Sequence, residues 1–211
     1  LPAMVACLLT SQPVVLQEVP DIEDVKRMTE VLTSLGVRLR RAGSTLTLHA
    51  PAKLRLASLD TKAVLRLRAS LLLIGALAHR VERLRLPFAG GCKLGKRSVL
   101  AHRYALEPLG VRITTSDYQY LVERKHPLRG TTVTMYESGD TPTENLLLAA
   151  VLAEGRTTIH LASANYMVQD LAYLLRAMGA QIDGLGTTTL TVDGVAQLNG
   201  ATHAIMPDPI E

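Results

Sequence analysis

Aromatic side chains are nearly absent: the 211 residues hold six tyrosines, one phenylalanine and no tryptophan. That argues against a platform for single-stranded nucleic acid, which needs exposed rings on which bases stack. Cysteine is scarce as well. Cys7 and Cys92 are too few for a disulfide framework and point to a reducing, cytoplasmic compartment. The six histidines show no metal-ligand spacing. The longest apolar run, Ala69 to Ala78, falls short of the roughly 18 residues a membrane span requires, and it follows Arg66 and Arg68. Positive charge is in only slight excess, net +4, and it is dispersed. It suits an anionic ligand rather than a nucleic-acid stripe.

What is present is aliphatic. Hydrophobic residues make up 47% of the chain, so Leu, Val, Ile and Ala must fill the core. One phrase recurs three times, at Leu35-Gly36-Val37-Arg38-Leu39, Leu109-Gly110-Val111-Arg112-Ile113 and Met178-Gly179-Ala180-Gln181-Ile182. Each copy follows an amphipathic helical pattern, and each glycine stands where a helix C-cap is expected. A pair of short alternating runs then reads as a hairpin: Val37–Arg41 with Thr45–His49, Val111–Thr115 with Tyr118–Val122, and Gln181–Asp183 with Thr188–Val192. Upstream of each phrase the order is helix, strand, helix. The first helices span about 2–10, 60–79 and 143–154, the strands 14–18, 84–88 and 157–161, and the second helices 22–35, 97–109 and 167–178. The first helices of the second and third copies are apolar nearly all round and therefore buried on every side. The pattern predicts one α/β domain over 1–211, built of three repeated units at about 1–50, 51–126 and 127–195 around buried central helices.

The stretch Gly90-Gly91-Cys92-Lys93-Leu94-Gly95-Lys96-Arg97 breaks that three-fold symmetry at the strand-to-helix junction of the second unit. Its glycines allow close approach of a ligand to the main chain. Lys93, Lys96, Arg97 and the helix start beyond them supply positive potential. A cysteine in such surroundings can have a depressed pKa. Cys7, in an apolar run, reads as a small buried hydrophobe.

Arg68-Ala69-Ser70, then Gly90-Gly91-Cys92-x-x-Gly95-x-Arg97, Thr143-Glu144-Asn145, Leu152-Ala153-Glu154-Gly155 and Pro207-Asp208 together resemble the UDP-N-acetylglucosamine enolpyruvyl transferase family over essentially the whole chain. The resemblance implies a lobe of three α/β units with helices packed inside sheets, an inside-out barrel. It implies transfer of enolpyruvate from phosphoenolpyruvate to a UDP-N-acetylglucosamine hydroxyl in peptidoglycan precursor synthesis, without metal or organic cofactor. Cys92 matches the family's general acid. Arg97 matches the arginine that contacts the anionic substrates, Arg68 the arginine on the UDP-sugar, and Val99 the residue two positions after Arg97. Lys96, Ser138, Gly139 and Asp208 are further substrate-binding candidates. The resemblance also implies a second domain, supplying the other wall of the site, and a Lys-Asn pair upstream of Leu1. The chain is therefore expected to be a fragment of a longer protein and inactive alone.

Departures from the family pattern stand beside the matches. Arg97-Ser98-Val99-Leu100 lacks the usual aspartate at its fourth position. Gly139-Asp140-Thr141-Pro142-Thr143 replaces Ser-Val-Gly-Ala-Thr, so that Asp140 would repel a phosphate beside it unless Asp140 or Thr141 serves as an N-cap. Ala164-Asn165-Tyr166 replaces an acidic segment. Three alternatives remain open: a shikimate-directed enolpyruvyl transferase, whose members lack the cysteine loop; an RNA 3′-terminal phosphate cyclase, which would need a histidine nucleophile that neither His102 nor His126 resembles; and a non-catalytic UDP-sugar-binding or structural remnant.

Overall fold

The computed structural model describes residues 1–89 and 98–207. The first unit runs α1 (Pro2–Ala6), β1 (Val14–Gln17), α2 (Glu23–Ser34), β2 (Arg38–Ala42) and β3 (Thr45–His49). The second runs α3 (Thr61–Arg66), α4 (Leu73–Leu77), β4 (Arg83–Pro87), α5 (Leu100–Leu106), β5 (Val111–Ser116) and β6 (Gln119–Arg124). The third runs β7 (Thr132–Thr134), α6 (Asp140–Ala150), β8 (Arg156–His160), α7 (Tyr166–Ala177), β9 (Gln181–Asp183) and β10 (Thr189–Asp193), and β11 (Thr202–Ala204) follows.

The repeated phrase does what its glycine demands. Gly36, Gly110 and Gly179 have φ of 94°, 105° and 105°, the left-handed region that costs a side chain dearly. At the first and third copies two bonds close the helix. Gly36 N–H donates to Thr33 O and Val37 N–H to Leu32 O, while Gly179 N–H donates to Arg176 O and Ala180 N–H to Leu175 O. Each hairpin then lays its strands antiparallel, with register such as Leu39↔Leu48, Ile113↔Val122 and Ile182↔Val192.

Three sheets result, in the orders β11-β1-β3-β2, β4-β6-β5 and β7-β8-β10-β9. Alternate strand residues are buried, so each sheet turns one face inward and the other to solvent. The inner helices fill the space between them. Residues 3–10, 70–78 and 142–151 are buried without interruption; most are apolar, and Thr10, Ser70, Thr143, Glu144 and Asn145 are buried with them. One apolar core runs through all three units. The outer helices α2 and α7 bury a single stripe each, Val25, Met28, Val31 and Leu32 in the one and Val168, Leu171, Leu174 and Leu175 in the other.

Several expectations need correction. The predicted helix over 60–79 is broken. Asp60 caps α3 by accepting Ala63 N–H at 3.0 Å, Leu67 then turns extended, and the chain re-enters through a 3-10 segment, Arg68–Leu72, before α4. The break lets Leu67 O accept the Ser70 hydroxyl at 2.7 Å and swings the chain from the rim into the core. The hairpin of the second unit turns at Asp117 and Tyr118, both with positive φ, so β6 begins at Gln119 rather than Tyr118. The helix expected from Arg97 is helical from Leu100 among the described residues. The sequence reading missed β7 and β11. Each pairs in parallel with the strand that follows the inner helix of a unit, Thr132↔Thr158 and Val15↔Thr202.

Candidate functional site

Arg68 opens the 3-10 segment that follows the break at Leu67. Its Nη2 donates to the Ser98 carbonyl at 3.2 Å, and the Ser98 hydroxyl in turn accepts Leu100 N–H at 3.0 Å at the start of α5. Arg68 is thus anchored to the residue at which the chain leaves the 90–97 stretch. Val99 is buried beside it, 8% exposed, and fixes the entry of α5 by packing. Cys92, Lys96, Arg97 and Asp208 lie outside the described residues.

An open groove of about 570 Å³ runs from Arg68 and Ser98 past Leu100, Ala101 and His102 to Tyr136, Glu137 and the stretch Gly139–Pro142. Gly139, the N-cap of α6, therefore shares a wall with Arg68. Ser138 is turned away, its hydroxyl donating to Ala162 O at 3.2 Å. The N-cap expected at Asp140 or Thr141 is not formed, because Asp140 is already helical and Gly139 gives no side-chain cap. The Asp140 carboxylate is held elsewhere. One oxygen accepts the Ser163 hydroxyl at 2.5 Å and the other accepts Asn165 Nδ2 at 2.9 Å. Asn165, within the segment Ala164-Asn165-Tyr166, thus supplies one of the donors that hold Asp140, and Ser163 just before it supplies the other. Thr143 ties the turn from below, donating to Gly139 O at 2.7 Å and accepting Ser163 N–H at 3.1 Å.

Behind the groove stands a buried polar hub at Asn145. Its Oδ1 accepts Gly75 N–H at 2.7 Å, and its Nδ2 lies 2.9 Å from Leu71 O and 3.0 Å from His102 Nδ1. These contacts settle the amide orientation and make His102 Nδ1 an acceptor, so that in the neutral ring the proton sits on Nε2. Burial, with Arg68 nearby, pushes the His102 imidazolium down to about 4. His102 therefore lines the groove as a neutral hydrogen-bonding group. Glu144, beside Asn145 on α6, is 4% exposed; burial raises its carboxyl to about 7, with Asp140 and Asp170 adding to the effect.

The arrangement offers an anionic ligand one charged fork at Arg68 and the N–H donors of the first turn of α6. Of the residues singled out from the sequence, Arg68 and Gly139 are brought together by this groove; His102, Asn145 and Tyr136 had been given no role. Asn145 lay inside the quoted Thr143-Glu144-Asn145 motif, the one signal that pointed to it. Among the described residues no helix is long and apolar enough to cross a membrane, and no three His, Cys, Asp or Glu side chains converge as a metal site.

Comparison with known proteins gives a consistent answer. The chain is 42% identical, over its whole length, to a UDP-N-acetylglucosamine 1-carboxyvinyltransferase of Bradyrhizobium diazoefficiens, and it covers 48% of that protein. It is 38% identical, again over its whole length, to the enzyme of the same name from Akkermansia muciniphila, covering 50%. It thus spans about half the length of the curated relatives it matches. Its fold superposes on the enolpyruvyl transferase NikO from Streptomyces tendae with a TM-score of 0.84 at 24% identity, over 98% of this chain and 49% of that one. The inside-out arrangement of helices within sheets is therefore the enolpyruvyl transferase fold. Since the model of the EPSP synthase (3-phosphoshikimate 1-carboxyvinyltransferase) family matches residues 1–211 without a gap at either end, the chain belongs to that family.

Proposed function

We propose that this chain is the cysteine-loop lobe of a UDP-N-acetylglucosamine enolpyruvyl transferase, acting in the cytoplasm in peptidoglycan precursor synthesis. In this reading residues 1–211 form a single domain of three units, about 1–50, 51–126 and 127–195. The partner is a second domain that closes the site. The observation that carries the proposal is identity of 38–42% across the whole chain to relatives of that name. The groove joining Arg68 to Gly139 supports it.

The chemistry assigns roles as follows. Arg68 and the first turn of α6 hold the diphosphate of the acceptor, and Arg97, with Lys96, faces the phosphate and carboxylate of phosphoenolpyruvate. The Cys92 thiol gives its proton to C3 of phosphoenolpyruvate while the acceptor hydroxyl, losing its own proton, bonds to C2. Loss of a proton from C3 and cleavage of the C2–O bond then release phosphate and leave the enolpyruvyl ether. A thiol serves as such an acid when neighbouring cations bring its pKa near operating pH. Val99 holds the entry to α5, and Asp208 is a further substrate-binding residue.

Phosphate release from phosphoenolpyruvate is the test. The longer protein that contains this chain should turn over with UDP-N-acetylglucosamine, and the isolated chain should bind that sugar in a calorimeter without turnover. Turnover by the isolated chain would refute the one-wall reading. Turnover with shikimate 3-phosphate in place of the sugar would transfer the assignment to the other branch of the family. Absence of both binding and turnover would leave a structural remnant.

A further inference from the structure

A second groove, of about 520 Å³, opens beyond the C-terminal end of α6. Because α6 begins at Asp140 and ends at Ala150, it separates the two grooves by roughly 15 Å of helix. The second groove is lined by His79, Arg124, Pro127, Leu128, the turn Leu152–Gly155 and the stretch Gly194–Ala196. Arg124 is the last residue of β6, and its backbone N–H is spent on Glu82 O at 2.8 Å. Its side-chain Nε–H is buried and meets no acceptor among the described residues. The neighbouring carboxylates do not supply one: Glu123 pairs with Arg83 and Glu154 with Arg129. His79 stands beside it with Nε2 given to Ala149 O at 2.6 Å, which leaves Nδ1 without that bond.

A buried guanidinium N–H without an acceptor is rare in folded chains, and the fork geometry of arginine matches a carboxylate or phosphate. Pro127, Leu128, Leu152 and Val195 give one side of the groove an apolar wall, while Glu154, on the same lining, is paired with Arg129. Gly194 packs so tightly on the Ala153 carbonyl that a Cβ there would meet it at 1.6 Å, so the wall is closed to a larger residue. We propose that this groove binds a small organic anion, its carboxylate or phosphate on Arg124 and its carbon body against the apolar wall. The site is distinct from the Arg68 groove and independent of the acceptor assigned to it.

Benzoate, phenyl phosphate and inorganic phosphate are the probes, titrated into the full chain and followed by calorimetry and by the His79 ring resonances. Benzoate or phenyl phosphate should bind and shift His79, and the preference between them identifies the headgroup. Inorganic phosphate, lacking a carbon body, should bind at least tenfold more weakly than phenyl phosphate. R124Q should weaken binding at least tenfold, and R27Q, whose ion pairs lie within α2, should leave it unchanged. If R124Q does not fold, R124K, which keeps the charge and removes the Nε–H, should show a smaller loss of the same sign. The proposal fails if neither organic anion binds the unaltered chain, if the Arg124 variants bind as well as it does, or if R27Q abolishes binding.

Discussion

Asn145 Oδ1 accepts the backbone N–H of Gly75 at 2.7 Å, a bond between two buried helices 70 residues apart in sequence. Such proximity is possible only because Gly75 has no side chain. A Cβ there would lie 2.2 Å from the Asn145 carbonyl oxygen. Asn145→Ala removes the bonds to Gly75 N–H, Leu71 O and His102 Nδ1 and opens a cavity, and is expected to cost about 3 kcal/mol. Gly75→Ala forces the same two helices apart at a cost of about 1–3 kcal/mol. Since the two residues touch, the double variant should lose less than the sum of the single losses, and denaturant midpoints would show it. Additive losses would mean that the contact is not shared.

The pH dependence of stability should carry two opposed slopes. His102, pushed down to about 4 by burial, takes up its proton in the unfolded chain first, so stability falls as pH drops from the ordinary histidine value of 6.5 toward 4. That term amounts to about 3 kcal/mol in all. His79, lowered by burial too, adds to it in the same direction. Glu144, raised to about 7, acts oppositely: the unfolded chain loses that proton first, so stability falls as pH rises from 4.5 through 7. Glu144→Gln should therefore stabilise the chain above pH 7 and lay bare the acid loss due to histidine. His102→Gln should flatten that loss. Thermal midpoints between pH 4.5 and 8 measure both, and an unchanged profile in both variants would contradict the assignment.

Arg68→Ala removes the fork from the first groove and frees the Ser98 carbonyl. Affinity for UDP-N-acetylglucosamine should drop tenfold or more, the value of a charge-assisted bond to phosphate. Arg68→Lys should recover part of it, because a point charge cannot reproduce the two-pronged contact. Calorimetry on the isolated chain suffices. Undiminished affinity in Arg68→Ala would remove this residue from the site.

The two thiols should differ in alkylation. Cys7 is fully buried, and burial pushes its thiol up to about 12, so it should stay unmodified until the chain unfolds. Cys92, if tuned by its neighbours, should react at neutral pH, and more slowly once Lys96 and Arg97 are made neutral. Equal rates for the two thiols in the folded chain would reduce the stretch to an ordinary surface loop.

The fold was legible where a local rule has one solution. The left-handed caps at Gly36, Gly110 and Gly179 each announce a helix end and a hairpin, and the apolar helices announce their burial. Leu67 shows the opposite case. No proline or glycine marks its extended backbone, and the break comes from the way the chain must enter the core, which no window of sequence contains. Strands β7 and β11, three residues each, carry too little pattern to be seen without their partners. At the site, Arg68 and Gly139 were legible as a cation before a buried helix and a glycine at a helix start. The Asn145–His102 contact was not, because it joins positions 43 residues apart through packing alone. The fate of Asp140 was hidden for the same reason, its donors at Ser163 and Asn165 arriving from another turn of the chain.

The first sheet takes its outer strand from the far end of the sequence, with Val15 opposite Thr202. During synthesis β1 must then wait until the second and third units and β11 have emerged before its open edge is covered. The third unit draws β7 to β10 from one continuous stretch and needs no such delay. Closure over so long a separation is slow, and an uncovered edge invites pairing with other chains. The docking of β11 against β1 is therefore a late step in folding this sheet, and one exposed to aggregation. Trimming the chain ahead of Thr202 should trap it at that step.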